Sequence, residues 1–179
     1  MKKNKLNIAI IGLGNIGSYL YKYLQINKKI LSKKNNCIPD VIYVSAKNKN
    51  KKRNIKFKNS QWVNNFNLIL KNKDVDIIVE LIGGAEGPAK NLVFEALKNK
   101  KHVVTANKAL ISKYGDKLSM IAEKNKVNLE FEAAVCGGVP IIRSIKEGLI
   151  ANKINRIYGI LNGTSNYVLS SMEIHKTSF

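Results

Sequence analysis

Cysteine, proline, aromatic rings and acidic side chains are all scarce in this chain, and each shortage narrows what it can be. Only two cysteines, Cys37 and Cys136, occur in 179 residues. They stand in segments of different character, so no disulfide framework is expected and a reducing cytoplasm fits best. Proline occurs 3 times and aromatics make up 7%, which points to a globular core built on Ile, Val and Leu. No apolar run approaches the ~18 residues that would span a bilayer. Lys2, Lys3 and Lys5 before Ile8-Ala9-Ile10-Ile11 imitate a secretion leader, but Gly12, Gly14 and Gly17 interrupt the run and no clean cleavage site follows.

Acids number 12 against 31 bases, for a formal charge of +19. Such an excess favours anionic partners. The lysines are nevertheless spread through every polar stretch among asparagines, with no aromatic-interleaved stripe and no nucleic-acid module. They are read as a biased solvated surface, with no nucleic-acid or membrane partner expected.

What is present is alternation. Strand-like apolar runs at 6–11, 41–44, 75–82, 102–105 and 127–131 alternate with segments of helical period, the pattern of parallel strands joined by crossover helices. Ile16, Tyr19, Leu20, Tyr23 and Leu24 are expected to bury one face of the first helix. The polar stretch 27–39 is expected to end that unit. The lysine-rich run 47–58 is too charged to pack and reads as a mobile loop. Pro88 suits a first helical turn, and Leu92, Val93, Ala96 and Leu97 form the buried stripe behind it. A helix through Leu118, Met120, Ile121 and Ala122 precedes the strand at 127–131. After Glu132 the texture turns to small residues, then a helix marked by Ile141, Ile142, Ile145 and Leu149, then a strand at 154–161. The expected organisation is a nucleotide-binding domain over 1–132 and the beginning of a second domain over 133–179.

Gly12-Leu13-Gly14-Asn15-Ile16-Gly17 is a GxGxxG turn between a strand and a helix. The first glycine allows the tight turn, the second lets backbone approach a pyrophosphate, and the third allows close helix–strand contact. Free amides and the positive end of the helix dipole then hold the anion. The usual acid at the end of strand 2 is absent. Asp40 stands at that strand's start, while its end reads Val44-Ser45-Ala46-Lys47, with Lys49, Lys51, Lys52 and Arg53 beyond. Small and basic residues there, Lys47 and Arg53 foremost, fit a 2′-phosphate and predict NADP over NAD.

Four further stretches narrow the reading. Val79-Glu80-Leu81-Ile82-Gly83-Gly84, Val104-Thr105-Ala106-Asn107-Lys108-Ala109-Leu110, Glu132-Ala133-Ala134-Val135-Cys136-Gly137-Gly138-Val139-Pro140-Ile141-Ile142 and Gly159-Ile160-Leu161-Asn162-Gly163-Thr164-Ser165-Asn166-Tyr167-Val168-Leu169 resemble the homoserine dehydrogenases, in that family's order. The likeness runs from Asn7 to about Glu173.

The resemblance implies an α/β fold: a Rossmann-type doubly wound parallel sheet plus the start of a truncated α+β substrate domain. It implies an oxidoreductase that interconverts L-homoserine and L-aspartate 4-semialdehyde with NADP or NAD, on the route to threonine, methionine and isoleucine. Gly83, Gly84, Thr105, Asn107 and Lys108 would lie near the nicotinamide, with Lys108 beside the substrate. Asn162, Gly163 and Thr164 would touch the amino acid. Glu132, through its side chain, and the carbonyls of Val135, Gly137 and Val139 would hold a monovalent cation, usually sodium.

Residues alone leave blander roles open. Gly83 and Gly84 suit a plain turn, Lys108 solvent, Glu132 a salt bridge, and Thr164 a helix cap. Cys136 reads as a small buried hydrophobe, and His102 and His175 as structural or surface residues. The family's acid–base lysine lies on segments beyond the Asn162 loop, so residues 1–179 are expected to bind cofactor with negligible turnover. The family's homodimer is expected of the full-length protein and is doubtful for this stretch. Another dehydrogenase of the same architecture and a non-catalytic cofactor sensor are the alternatives.

Overall fold

The computed structural model describes residues 4–57, 60–159 and 162–178. A six-stranded sheet forms in the order β3-β2-β1-β4-β5-β6. Its strands are β1 (Asn4–Ile11), β2 (Cys37–Ser45), β3 (Gln61–Trp62), β4 (Ile77–Glu80), β5 (His102–Thr105) and β6 (Leu129–Glu130). All five pairings are parallel. Parallel neighbours need crossovers, and α1 (Asn15–Ile26), α2 (Lys28–Asn35), α3 (Asn67–Leu70), α4 (Pro88–Lys98) and α5 (Lys108–Asn125) supply them.

Alternation along the strands feeds two cores. Ala9, Ile11 and Ile78 point to the face covered by Leu92, Ala96, Leu110 and Leu118, whereas Ile8, Ile10 and Val79 point to the face covered by Tyr21, Leu20 and Leu24. Successive side chains of a strand face opposite sides, so β1 needs apolar residues at each position from Ile8 to Ile11, where both faces are covered. Full burial of one such Ile or Leu contributes about 1.5–3 kcal/mol.

Several expectations are corrected. The stretch 27–39 is not a loop: α2 occupies Lys28–Asn35 and β2 begins at Cys37. Asn36 makes the turn in the left-handed region at φ 48°. Asp40 therefore sits within β2, where it pairs with Lys28 at 2.5 Å and Lys5 at 3.9 Å. Within α1, Leu20 and Leu24 pack on the sheet, but Ile16, Tyr19 and Tyr23 are exposed. The helical period places these three on the flank next to the buried face. Met120 is likewise exposed on α5. The run 46–57 has no regular structure, and Lys58 lies outside the described residues.

Beyond Glu130 come α6 (Glu132–Val135), α7 (Ile141–Arg143) continued by a π turn (Ser144–Gly148), and α8 (Gly163–His175). Neither α7 nor α8 has a buried residue. The expected strand at 154–161 does not form over 154–159, while Ile160 and Leu161 lie outside the described residues. A strand exists only where a ladder satisfies its backbone groups, and no neighbour is paired with this stretch among the described residues.

Candidate functional site

All strands run the same way, so the ends of β1, β2, β4 and β5 gather along one edge of the sheet. The chain leaves β1 for one side, through α1 to β2, and reaches β4 on the other. Ligands of open α/β sheets bind at such a switch point. Here it holds a cleft of about 800 Å³. Its floor is Ile11, Gly12, Leu13 and Gly14; Ser45, Ala46, Lys47, Lys51 and Arg53 form one wall; and Leu81, Ile82 and Pro88 stand opposite, with Asn64 and Phe66 at the rim.

The three glycines of the turn do different work. Gly12 has φ 105°, and a Cβ there would meet the Leu81 backbone at 2.4 Å. A Cβ on Gly17 would lie 2.0 Å from the Gly12 carbonyl oxygen. These two are needed by the fold. Gly14 has ordinary dihedrals, and nothing lies within 4 Å of the Cβ it lacks. That open space belongs to the cleft, at the N-cap of a 12-residue helix with no side-chain cap and no acid in its first turn. A dinucleotide's diphosphate fits this seat, since unclaimed amides and the helix dipole favour an anion. Asn15 and Ile16 are exposed on the first turn.

Across the cleft, the Gly12 amide donates to the Ser45 carbonyl at 2.8 Å, which binds the turn to the end of β2. Lys47 and Lys51 are exposed and line the cleft. Arg53 is placed differently. Its guanidinium donates to the carbonyls of Leu13 at 3.0 Å, Asn48 at 2.8 Å and Lys51 at 3.0 Å, and stands 5.3 Å from the Trp62 ring centre. It clamps the loop onto the glycine turn.

On the far side, Glu80 ends β4 and Thr105 ends β5, opposite one another in register. Both are buried. The Thr105 hydroxyl donates to Glu80 Oε2 at 2.5 Å, and Glu80 Oε1 accepts the amides of Ile82 and Gly83 at 2.7 and 3.0 Å. Asn107 donates its amide to Thr105 Oγ1 at 3.0 Å and its side chain to the Gly84 carbonyl at 2.7 Å. Its Oδ1 also caps α5 by accepting the Leu110 amide. Gly83 and Gly84 have φ 83° and 85°; a Cβ on Gly83 would meet nothing within 4 Å, and one on Gly84 would meet only the Glu86 carbonyl oxygen, at 4.0 Å. Lys108, exposed, takes the first position of α5, where a cation meets the unfavourable end of the dipole.

Glu86 extends this loop outward. It accepts from Lys90 at 2.9 Å, pairs with Lys113 at 2.7 Å and accepts the Tyr114 hydroxyl. The Lys113 contact, then those of Tyr114 and Lys90, hold its carboxyl at about 2, below the ordinary 4.5.

Sequence reasoning missed Glu80 as a site residue. Its signal was present: one acid closing an otherwise apolar strand. Glu86, too, went unnoticed, because its partners lie on two helices.

The Glu132 oxygens accept the amides of Ile142 and Arg143, both at 2.9 Å, so this side chain caps α7. The Val139 carbonyl accepts the Ile141 amide at 2.8 Å. Each oxygen retains a further lone pair. Among the described residues no three His, Cys, Asp or Glu side chains cluster together as a side-chain metal site. Asn162, not Thr164, caps α8: its side chain accepts the Ser165 amide at 2.9 Å. Thr164 lies within the helix and, with Asn162 and Gly163, is exposed and outside the cleft lining. Cys37 and Cys136 are free and half-buried. His102 Nδ1 accepts the Asn128 amide at 3.0 Å, and His175 is exposed. No helix among the described residues is long and apolar enough to cross a membrane.

Known proteins resemble this chain in sequence and in fold. Residues 12–132 match the family model described as the NAD binding domain of homoserine dehydrogenase, and residues 140–179 match the homoserine dehydrogenase model. The chain belongs to the homoserine dehydrogenase family. It is 42% identical over 177 residues to the homoserine dehydrogenase of Neisseria gonorrhoeae, a match covering 97% of this chain and 40% of that protein. The crystal structure of a homoserine dehydrogenase from Thiobacillus denitrificans superposes with a TM-score of 0.86 at 37% identity, over 97% of this chain and 40% of that one. That from S. aureus gives 0.76 at 40% identity, over 97% and 43%. The chain thus spans about 40% of the length of these homoserine dehydrogenases.

Proposed function

We propose that this chain is the nicotinamide-nucleotide-binding part of a homoserine dehydrogenase, with NADP as the preferred cofactor. The observation that carries the proposal is the glycine turn at the switch point: Gly14 faces an open cleft at a helix start, with Lys47 and Lys51 on the wall where an acid would favour NAD. When bound, the nicotinamide supplies or accepts the hydride that interconverts L-homoserine and L-aspartate 4-semialdehyde.

The chain's own residues bind and orient. Amides of the turn and the start of α1 would hold the diphosphate, and Ser45, Lys47 and Lys51 the adenosine ribose and its 2′-phosphate. Arg53 keeps that wall in place. Leu81, Ile82, Gly83 and Gly84 would border the nicotinamide ribose, with Thr105 and Asn107 fixing their backbone. Lys108, exposed at the same edge, would meet substrate or cofactor oxygen. Asn162, Gly163 and Thr164 would approach the amino acid only when α8 closes on the cleft. Glu132 with the carbonyls of Val135, Gly137 and Val139 is an oxygen-only set suited to sodium, a hard cation. A division near Glu132 is supported by the absence of buried residues after Ala134 among the described residues. We place the protein in the cytoplasm and expect a homodimer of the full-length form.

Calorimetric titration of residues 1–179 with NADPH and NADH tests the reading. Binding of NADPH ahead of NADH, with no homoserine-dependent NADP reduction by this stretch alone, is the expected result. Failure to bind either nucleotide would overturn it.

A further inference from the structure

We propose that Glu80 is a positioning residue: its carboxylate sets the two loops that border the nicotinamide half of the cofactor, and leaves the adenosine half untouched. The proposal rests on the cofactor-binding reading above and deepens it. Glu80 is 0% exposed, in a strand whose other described positions are Ile77, Ile78 and Val79. A leucine or valine would fill such a place without the desolvation that a buried carboxylate suffers. The acid is tolerated because every partner is a donor, and each belongs to the end of a strand or to a loop at this edge.

The bonds run in one direction. Thr105 gives its single hydroxyl proton to Glu80 Oε2, which leaves Thr105 Oγ1 to accept the Asn107 amide. Glu80 Oε1 draws the amides of Ile82 and Gly83 inward. The Asn107 side chain then reaches across to the Gly84 carbonyl. The loop after β4 and the turn after β5 are thereby joined at two points, and the second holds the residue that caps α5 and precedes Lys108. None of these bonds involves the glycine turn or the end of β2. A dinucleotide at a switch point lies across both halves of the edge, so only the half over β4 and β5 senses Glu80.

Glu80→Gln keeps the shape but reverses one bond, because its amide must donate to Thr105. The hydroxyl proton then loses its acceptor. The experiment compares NADPH with 2′,5′-ADP, which carries only the adenosine half, by calorimetry on the unmodified chain and on Glu80→Gln, Thr105→Val and Thr105→Ser. Loss of NADPH affinity by about tenfold in Glu80→Gln and Thr105→Val, with 2′,5′-ADP within about twofold and Thr105→Ser near the unmodified value, is the expected outcome. The threonine pair carries the same comparison if Glu80→Gln does not fold. Equal losses for both ligands, or NADPH binding unchanged in folded variants, would overturn the proposal. An unmodified chain that binds neither ligand overturns the underlying cofactor reading and this proposal with it.

Discussion

Gly17 packs so tightly on Gly12 that a single methyl on the former would sit 2.0 Å from the latter's carbonyl oxygen. Helix α1 is thereby pressed against the turn that opens it, and a glycine between them, Gly14, is left facing empty space.

The two kinds of glycine should therefore separate by experiment. Gly17→Ala is expected to destabilise the fold by roughly 1–3 kcal/mol or more, because backbone must move. Gly14→Ala should stay within about 1 kcal/mol of the parent, since its dihedrals suit alanine, yet lose NADPH affinity. Urea denaturation beside calorimetry measures both. Equal destabilisation by the two changes would contradict the assignment.

Arg53 and the cleft lysines should divide by cofactor. With its guanidinium spent on loop carbonyls, Arg53→Ala is expected to weaken NADPH and NADH alike, by roughly fivefold. The double change Lys47→Ala and Lys51→Ala should cost NADPH about tenfold and NADH less than about twofold. A selective NADPH loss in Arg53→Ala would reverse the roles.

Glu86 predicts an acid-sensitive contact. Its carboxyl titrates near 2 in the folded chain against an ordinary 4.5, so its stabilising effect is complete above the ordinary value. The effect fades as pH falls through the folded value. Glu86→Gln should flatten that part of the profile, and salt should weaken it because the group is exposed. Thermal midpoints between pH 2 and 6, at low and high salt, are the measurement.

Lys101 is outside the cleft lining and only 8% exposed, and its ammonium donates to the carbonyls of Asn72 and Val75, both at 2.6 Å. Lys101→Met should cost about 1–3 kcal/mol by removing the ammonium donor from the Val75 carbonyl and one of two donors from that of Asn72. Burial lowers its pKa below 10.5, so the unfolded chain holds this proton more tightly. The contribution to stability should rise with pH through the window just under 10.5 and level off above it. Chemical denaturation of both forms across alkaline pH reads this directly.

Elements whose pattern is local were legible in the sequence. The strands at 6–11 and 102–105, the core of the one expected at 127–131, which forms only as Leu129–Glu130, and the stripe of Leu92, Val93, Ala96 and Leu97 follow from local pattern alone. The glycine turn was equally plain, since strand, spacing and helix agree over a dozen residues. Helix α2 was hidden by its composition: Lys28, Lys29, Lys33 and Lys34 give little apolar period, and it is held by Lys28–Asp40 and by the helix before it. Strand β3 is too short to announce itself. The exposure of Ile16, Tyr19 and Tyr23 shows the limit of periodicity, which marks an apolar face without saying what covers it. Arg53 was recognised as basic, but which acceptors surround a cation is decided by residues 40 positions away, such as Leu13.

Trp62, the sole tryptophan of the sequence, lies beneath the Arg53 guanidinium and edge-on to Phe57 at 5.9 Å. The molecule therefore comes with a built-in optical probe. Its ultraviolet emission should register any rearrangement of the basic segment over which nucleotide selectivity is contested, with no dye attached and no background from a second indole.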